Sequence, residues 1–272
     1  INNVMKLDTY LHLCKSLKLN NMKRILLLAA LIIPCLFSCK ENKHSMLKGR
    51  IEAIKELEYE ADEKFGTPVK GDLCKVTIFI FDKNNNVMEQ TVYDQYGDKD
   101  KSIKYDYNDK NEFISLVVTD DDNDTIYIKE IISRDGNRET FVEKNFYKYL
   151  SYKTIDTVHY ELGKNGYAKT SIRIKSDGTK SKTDYNINNK GELLELIWYY
   201  GIGDSIRQRQ TYEYDNNGLL IKTNTYNMYG SVRNDSTLYS YKLDDKSNWI
   251  EQTVYENGEI NKIIEREIKY RD

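Results

Sequence analysis

The chain has 272 residues, with 41 Lys+Arg against 43 Asp+Glu, a formal net charge of -2, 39% hydrophobic and 31% charged residues. That balance excludes a polytopic membrane protein and a nucleic-acid binder carried by bulk positive charge. Its 23 Tyr, 7 Phe and 2 Trp beside only 2 Pro argue against disorder and for a β-rich chain, since Tyr favours strands and pairs an apolar body with a wet tip.

Residues 1–21 precede Met22, which stands directly before Lys23-Arg24 and reads as the natural start; the upstream stretch is set aside as an extension. Ile25 to Phe37 is an almost unbroken apolar run. As a helix it covers only ~20 Å, too short for a hydrocarbon core of ~30 Å, so it reads as the apolar region of a signal peptide. The run ends Leu36-Phe37-Ser38-Cys39, which resembles the lipobox of bacterial lipoproteins. That resemblance implies cleavage before Cys39, a diacylglycerol on its sulfur and further acylation of its amine. Two or more acyl chains anchor a protein stably where one does not. The expected organisation is a signal peptide over 22–38, a lipidated tether over 39–45 and a folded domain over 46–272, held in the bacterial cell envelope at the outer membrane.

Removing residues 1–39 takes away five basic residues and one acid, which leaves 36 basic against 42 acidic residues and a net charge of -6. Such a chain has no bulk attraction to nucleic acid or anionic headgroups. Of Cys14, Cys35, Cys39 and Cys74, only Cys74 would remain as a thiol, so no intrachain disulfide is expected. Cys74 lies in an apolar strand-like run and reads as a small buried hydrophobe.

Ile51–Tyr59 reads as a strand, with a short helix as the alternative, and Gly66–Gly71 as the turn into a second strand at Leu73–Phe81. Polar clusters then recur, ending at Asn86, Glu112, Asn137, Tyr167, Glu192, Leu219 and Asn248, with spacings of 26, 25, 30, 25, 27 and 29. Their Asp/Asn/Gly chemistry supports tight turns. Seven and five residues before these anchors stand Phe79/Phe81, Tyr105/Tyr107, Tyr160/Leu162, Tyr185/Ile187, Tyr212/Tyr214 and Tyr241/Leu243, each pair on one strand face. Two residues after the anchors, Met88, Ile114, Leu194, Ile221 and Ile250 are apolar. The third unit, with Glu130/Ile132 and Glu139, fits the columns worst and is where a specialised site would lie.

Each unit is one hairpin. The expected fold is therefore all-β: seven or eight hairpins in an antiparallel meander, forming one extended, twisted or curled sheet roughly 65–75 Å wide. Tyr214-Asp-Asn-Asn-Gly218 and Tyr241-Lys-Leu-Asp-Asp-Lys-Ser-Asn-Trp249 resemble the YD-repeat (RHS-like) hairpin families. Together with the lipobox, and with the closing run to Tyr255, they resemble Bacteroidota lipoproteins carrying such repeats. The resemblance covers roughly residues 46–270 and speaks to architecture rather than activity.

Catalytic signatures do not emerge. His44 and His159 are the only histidines after the leader, with no nucleophile elbow and no His/Cys pair at zinc spacing. Asp120, Asp122 and Asp124 could offer oxygens to a metal, but the calcium-loop Gly and distal Glu are missing, and a solvated turn is the better reading. No cofactor is expected. The aromatics Tyr105, Tyr107, Trp198, Tyr199, Tyr212, Tyr214, Tyr241 and Trp249 could face a ligand, although packing within the sheet is favoured. The expected function is that of a binding or scaffold module for a protein partner, anchored to the membrane through its N-terminal lipid, and not an enzyme. Glycan binding on an aromatic face and an immunity-type role against a secreted toxin are the alternatives.

Overall fold

A hairpin is set by what its turn can do with its own backbone. Asp82 Oδ1 accepts the amides of Asn84 and Asn86, both at 2.8 Å, while the Asp82 amide donates to the Asn86 carbonyl at 2.9 Å. Asn108, Asn188, Asp215 and Asp244 repeat this arrangement. The fourth residue of each such turn takes positive φ, from 61° at Asn111 to 86° at Gly191. Gly adopts that conformation freely and Asn at small cost, which is why the clusters are built from them. The third unit turns differently, through Gly136-Asn137 alone.

A computed structural model describes residues 47–147, 152–228 and 233–272. Cys39, the signal peptide and the tether lie outside the described residues. The strands in chain order are β1 (Ile51–Lys64), β2 (Thr67–Phe81), β3 (Val87–Asp94), β4 (Lys99–Tyr107), β5 (Phe113–Asp120) and β6 (Thr125–Asp135). Next come β7 (Arg138–Tyr147), β8 (Tyr152–Leu162), β9 (Ala168–Ile174), β10 (Lys180–Ile187) and β11 (Leu193–Tyr199). The last five are β12 (Ile206–Tyr214), β13 (Leu220–Asn227), β14 (Arg233–Leu243), β15 (Trp249–Glu256) and β16 (Glu259–Tyr270). Ile51–Tyr59 is thus strand and not helix. The turn after it is Phe65-Gly66, so Thr67–Gly71 already belong to β2.

Every strand pairs antiparallel with its chain neighbours, and β1 also pairs with β16, so the meander closes into a 16-stranded barrel. This corrects the expected extended sheet. Strand spacing of ~4.8 Å and a tilt of ~40° make such a barrel roughly 30 Å across, not a ribbon of 65–75 Å. The cause is a repeated bulge. In six hairpins one residue is skipped in the register just inside the Asn/Asp turns: Met88, Ile114, Lys169, Leu194, Ile221 and Ile250. Asp100, Ile126, Arg207 and Asn261 are skipped near the opposite end. Each bulge bends its strand and adds right-handed twist, and repetition at a fixed position rolls the sheet up. Closure also removes both edges, whose open N–H and C=O groups would otherwise template aggregation.

The rim carrying the Asn/Asp turns, where the chain enters at Lys48 and leaves at Asp272, is called the near rim; the rim with the Phe65-Gly66 turn is the far rim. Val92, Ile103, Leu116, Val118, Val158 and Leu196 point inward and are buried. The outward face is mixed, with exposed Ile80, Ile155, Ile172 and Leu238 standing among charged side chains. Lys55–Glu267, Lys144–Glu130, Lys182–Asp184, Arg209–Glu195 and Lys242–Glu251 pair across it at 2.5–3.2 Å. A wall facing lipid needs an apolar band ~25 Å tall, and this one has charges at its middle.

Glu56 and Glu58 on β1 meet Arg266 and Lys262 on β16 inside the barrel, at 2.6 and 3.4 Å, and Glu52 meets Lys269 outside at 2.6 Å. Asn248 in the last near-rim turn accepts the Lys48 amide at 2.6 Å, and Asn85 in the first accepts the Ile51 amide at 3.0 Å. The two ends of the repeat thus hold the same entering segment. Arg266→Glu places two carboxylates at this half-buried seam and should cost on the order of 3–5 kcal/mol in urea unfolding. Glu56→Arg added to it should restore most of the loss; an unchanged midpoint in the single variant would show that the seam does not depend on the pair.

Candidate functional site

The misfit of the third unit has a structural cause. Its bulge sits on β6 at Ile132, between Ile131 opposite Phe141 and Ser133 opposite Thr140, instead of on the following strand. The shift reverses which residues of β6 face inward, so Lys129 and not Glu130 enters the interior. Lys129 is 1% exposed. Its ammonium lies 3.3 Å from Glu143 Oε1 and stands over the rings of Phe141 and Tyr160 at 4.7 and 5.4 Å. Arg173 on β9 donates to Glu143 Oε2 at 2.6 Å and to Asp156 Oδ2 at 3.1 Å, and Asp156 Oδ1 accepts the Ser176 amide. Two cations and two carboxylates are thereby closed into one network.

Burial alone would raise the Glu143 pKa; the Lys129 ammonium and the Arg173 guanidinium overcome it, and the carboxyl is held below its ordinary value. Burial lowers the Lys129 pKa, against the pull of Glu143. Burial also pushes the hydroxyls of Tyr127 and Tyr185 well above the ordinary phenol value. A buried amine of lowered pKa is a candidate proton carrier in principle. Here the ammonium is buried over two aromatic rings and its charge is balanced by Glu143, whose second oxygen ties in Arg173 on β9.

Seven of the eight aromatics singled out in the sequence face the interior. Tyr107, Tyr214 and Tyr241 donate their hydroxyls to the carbonyls of Val87, Leu193 and Leu220 at 3.2, 3.0 and 2.7 Å. Those carbonyls lie at or one residue from the start of the second strand in the preceding hairpin, so the tyrosines latch one repeat to the one before. Tyr105 donates to Gln90 Oε1 and Tyr212 to Gln210 Oε1. Trp249 lies beneath the Arg266 guanidinium at 3.3 Å, and Trp198 stands opposite Gln208 and Thr183. Burial pushes the Tyr214 and Tyr241 hydroxyls up to about 12. Tyr199 is turned outward, with the Lys182 ammonium 4.3 Å from its ring centre.

Asp120, Asp122 and Asp124 lie in a far-rim turn with carboxylate oxygens within 4.8 Å of one another. Asp120 Oδ1 accepts the Asp124 amide there, the capping role seen in the near-rim turns. His159 is on the outer wall, with Nδ1 3.1 Å from the Thr140 hydroxyl. Cys74 is only half-buried, a departure from the expected buried hydrophobe, because it is itself skipped in the β1–β2 register.

What the sequence reading missed is the far rim. Phe65 is fully exposed at a φ of 53°, a conformation unusual for a bulky side chain. Tyr96, Tyr147, Tyr200, Ile202 and Met228 are exposed at or beside other far-rim turns. Phe65-Gly66, Tyr96-Gly97 and Tyr200-Gly201 form a recurring aromatic–glycine pair that was legible in the sequence.

No family model matches the chain, and no curated protein matches it. Solved structures similar to it include a porin-like protein from Bacteroides uniformis, at 12% identity over 80% of this chain and 98% of that one, with a TM-score of 0.35. A porin-like protein from Bacteroides vulgatus is 14% identical over 82% and 99%, with a TM-score of 0.30. The Tc holotoxin pore of Photorhabdus luminescens is 9% identical over 67% of this chain and 13% of that one, at 0.28. Scores this low do not establish a shared fold.

Glu143 has a folded-state pKa below its unfolded value, so its contribution to stability is present above about pH 4.3 and is lost as pH falls through the folded value. Glu143→Gln should cost on the order of 3–5 kcal/mol near neutral pH by stranding the Lys129 charge. Its stability should also fall less steeply than wild type below about pH 5, and Lys129→Met in the same chain should recover much of the loss. Parallel acid-unfolding curves for wild type and Glu143→Gln would show that Glu143 is not the titrating group.

Proposed function

We propose that the chain is a lipid-anchored barrel of the bacterial envelope that binds a protein partner through its far rim, and that it has no enzymatic activity. The observation that carries this reading is the crown of exposed Phe65, Tyr96, Tyr147, Tyr200 and Ile202 on one rim of a barrel whose wall is otherwise laced with ion pairs. Aromatic side chains bury large area at low entropic cost, and they dominate protein contacts where they cluster. Attachment by lipid supports the same reading, because a wall with charges at mid-height does not hold itself in a bilayer. Glycan capture on the sheet has less to stand on, since seven of the eight aromatics it needs point to the interior.

A photocrosslinking residue at Tyr96 in cells should trap a defined protein species, and Phe65→Ser should reduce its yield severalfold, while the same probe at Thr157 on the wall should trap little. Equal trapping from both positions would overturn the far-rim assignment. Cys39→Ser should abolish lipid labelling and leave the chain soluble or unprocessed; unchanged membrane retention would overturn the anchor.

A further inference from the structure

We propose that the near rim rests on the membrane surface, with its ring of bulge residues seated in the interfacial layer of the bilayer. The proposal rests on the lipid-anchor reading and adds an orientation and a second contact to it.

Three observations meet at this rim. The skipped residues Met88, Ile114, Ile221 and Ile250 are apolar and 36–40% exposed, and Leu194 at the same repeat position is half-buried. Ile132, the displaced bulge of the third unit, is exposed as well, so the displacement moves an apolar residue but keeps it on the outside of the same rim. Lys169 alone breaks the ring. Scattered surface apolar residues need no explanation. Recurrence at one height on successive hairpins does, because a bulge can be filled by any residue: near the far rim Asp100, Arg207 and Asn261 fill it beside one apolar residue, Ile126. The bulges lie one or two residues inside the turns, within roughly 10 Å of the rim, which matches the depth to which interfacial proteins bury apolar surface.

The second observation is the tether. Nine peptide units separate Cys39 from Lys48, a reach of about 30 Å at full extension. The chain enters the barrel at the near rim, where Lys48 is held by Asn248. Turning the far rim to the bilayer would require the tether to run the height of the wall, about 35 Å for the 14-residue β1 at a tilt of ~40°. The third is charge. The near rim mixes both signs, with Lys48, Arg50 and Arg271 beside carboxylates such as Asp82, Asp215, Asp244, Asp245 and Asp272, whereas Asp120, Asp121, Asp122 and Asp124 crowd one far-rim turn, which anionic headgroups would repel.

The test uses the mature, lipidated protein in vesicles of phosphatidylethanolamine and phosphatidylglycerol. With Cys74→Ser as background, Ile221→Cys, Ile250→Cys, Tyr96→Cys and Ile202→Cys each carry an environment-sensitive fluorophore, and a quencher is placed at the shallow acyl positions. Quenching at 221 and 250 should exceed that at 96 and 202 at least threefold. Adding Ile114→Asp to the Ile221→Cys chain should cut its quenching by about half, with circular dichroism confirming the fold. Equal or far-rim-weighted quenching in a vesicle-bound, lipidated protein would overturn the docked rim and leave the anchor standing. A mass without diacylglycerol would overturn the anchor and this proposal together.

Discussion

The barrel depends on the pairing of its first strand with its last. β1 brings Glu52, Glu56 and Glu58 to that seam, and β16 brings Lys262, Arg266 and Lys269. Ion pairs of this kind contribute little when fully exposed. Glu56 and Arg266 are less than one-fifth exposed, so their worth is chiefly that no other pairing of these strands leaves the charges matched. The backbone at the seam is stitched as well: the Arg271 amide donates to the Arg50 carbonyl, and the Arg271 guanidinium reaches the carbonyls of Ile51 and Phe81. Two turns from opposite ends of the chain, at Asn85 and Asn248, grip the segment between them. Without that grip the repeat would present two open edges.

What bends the sheet far enough for its ends to meet is the repeated bulge. A bulge places two successive side chains on one face, so the residue added at each turn is forced outward. Closure and an exposed apolar ring are therefore one consequence of the same inserted residue. The third unit shows the cost of moving it. When the bulge passes from the second strand to the first, β6 reverses its faces and a lysine goes inside. Glu143, Asp156 and Arg173 then surround it. An isolated buried ammonium would lose its proton or disrupt the wall, and the network prevents both.

The two rims differ in kind. The near rim is made of hydrogen-bonded Asn/Asp turns that recur with the repeat and carry the chain's entry and exit. The far rim has turns of varied length with aromatic tips and an acidic cluster. Charged pairs on the wall separate them.

Much of this was legible in the chain itself. The strand-turn-strand period, the position of the Asn/Asp/Gly bends and the common face of the Phe and Tyr pairs all follow from local rules, because positive φ and alternation with period two are properties of a few adjacent residues. The outward ring was half-visible: Met88 and Tyr93, or Leu194 and Tyr199, share a face across an odd spacing, which only a bulge permits. Closure was not legible, since it depends on twist summed over sixteen strands and on Glu52, Glu56 and Glu58 of β1 meeting Lys269, Arg266 and Lys262 of β16 more than two hundred residues away. Nor was the burial of Lys129, because moving one inserted residue between neighbouring strands leaves composition and period unchanged while reversing the face of the β6 side chains that precede Ile132.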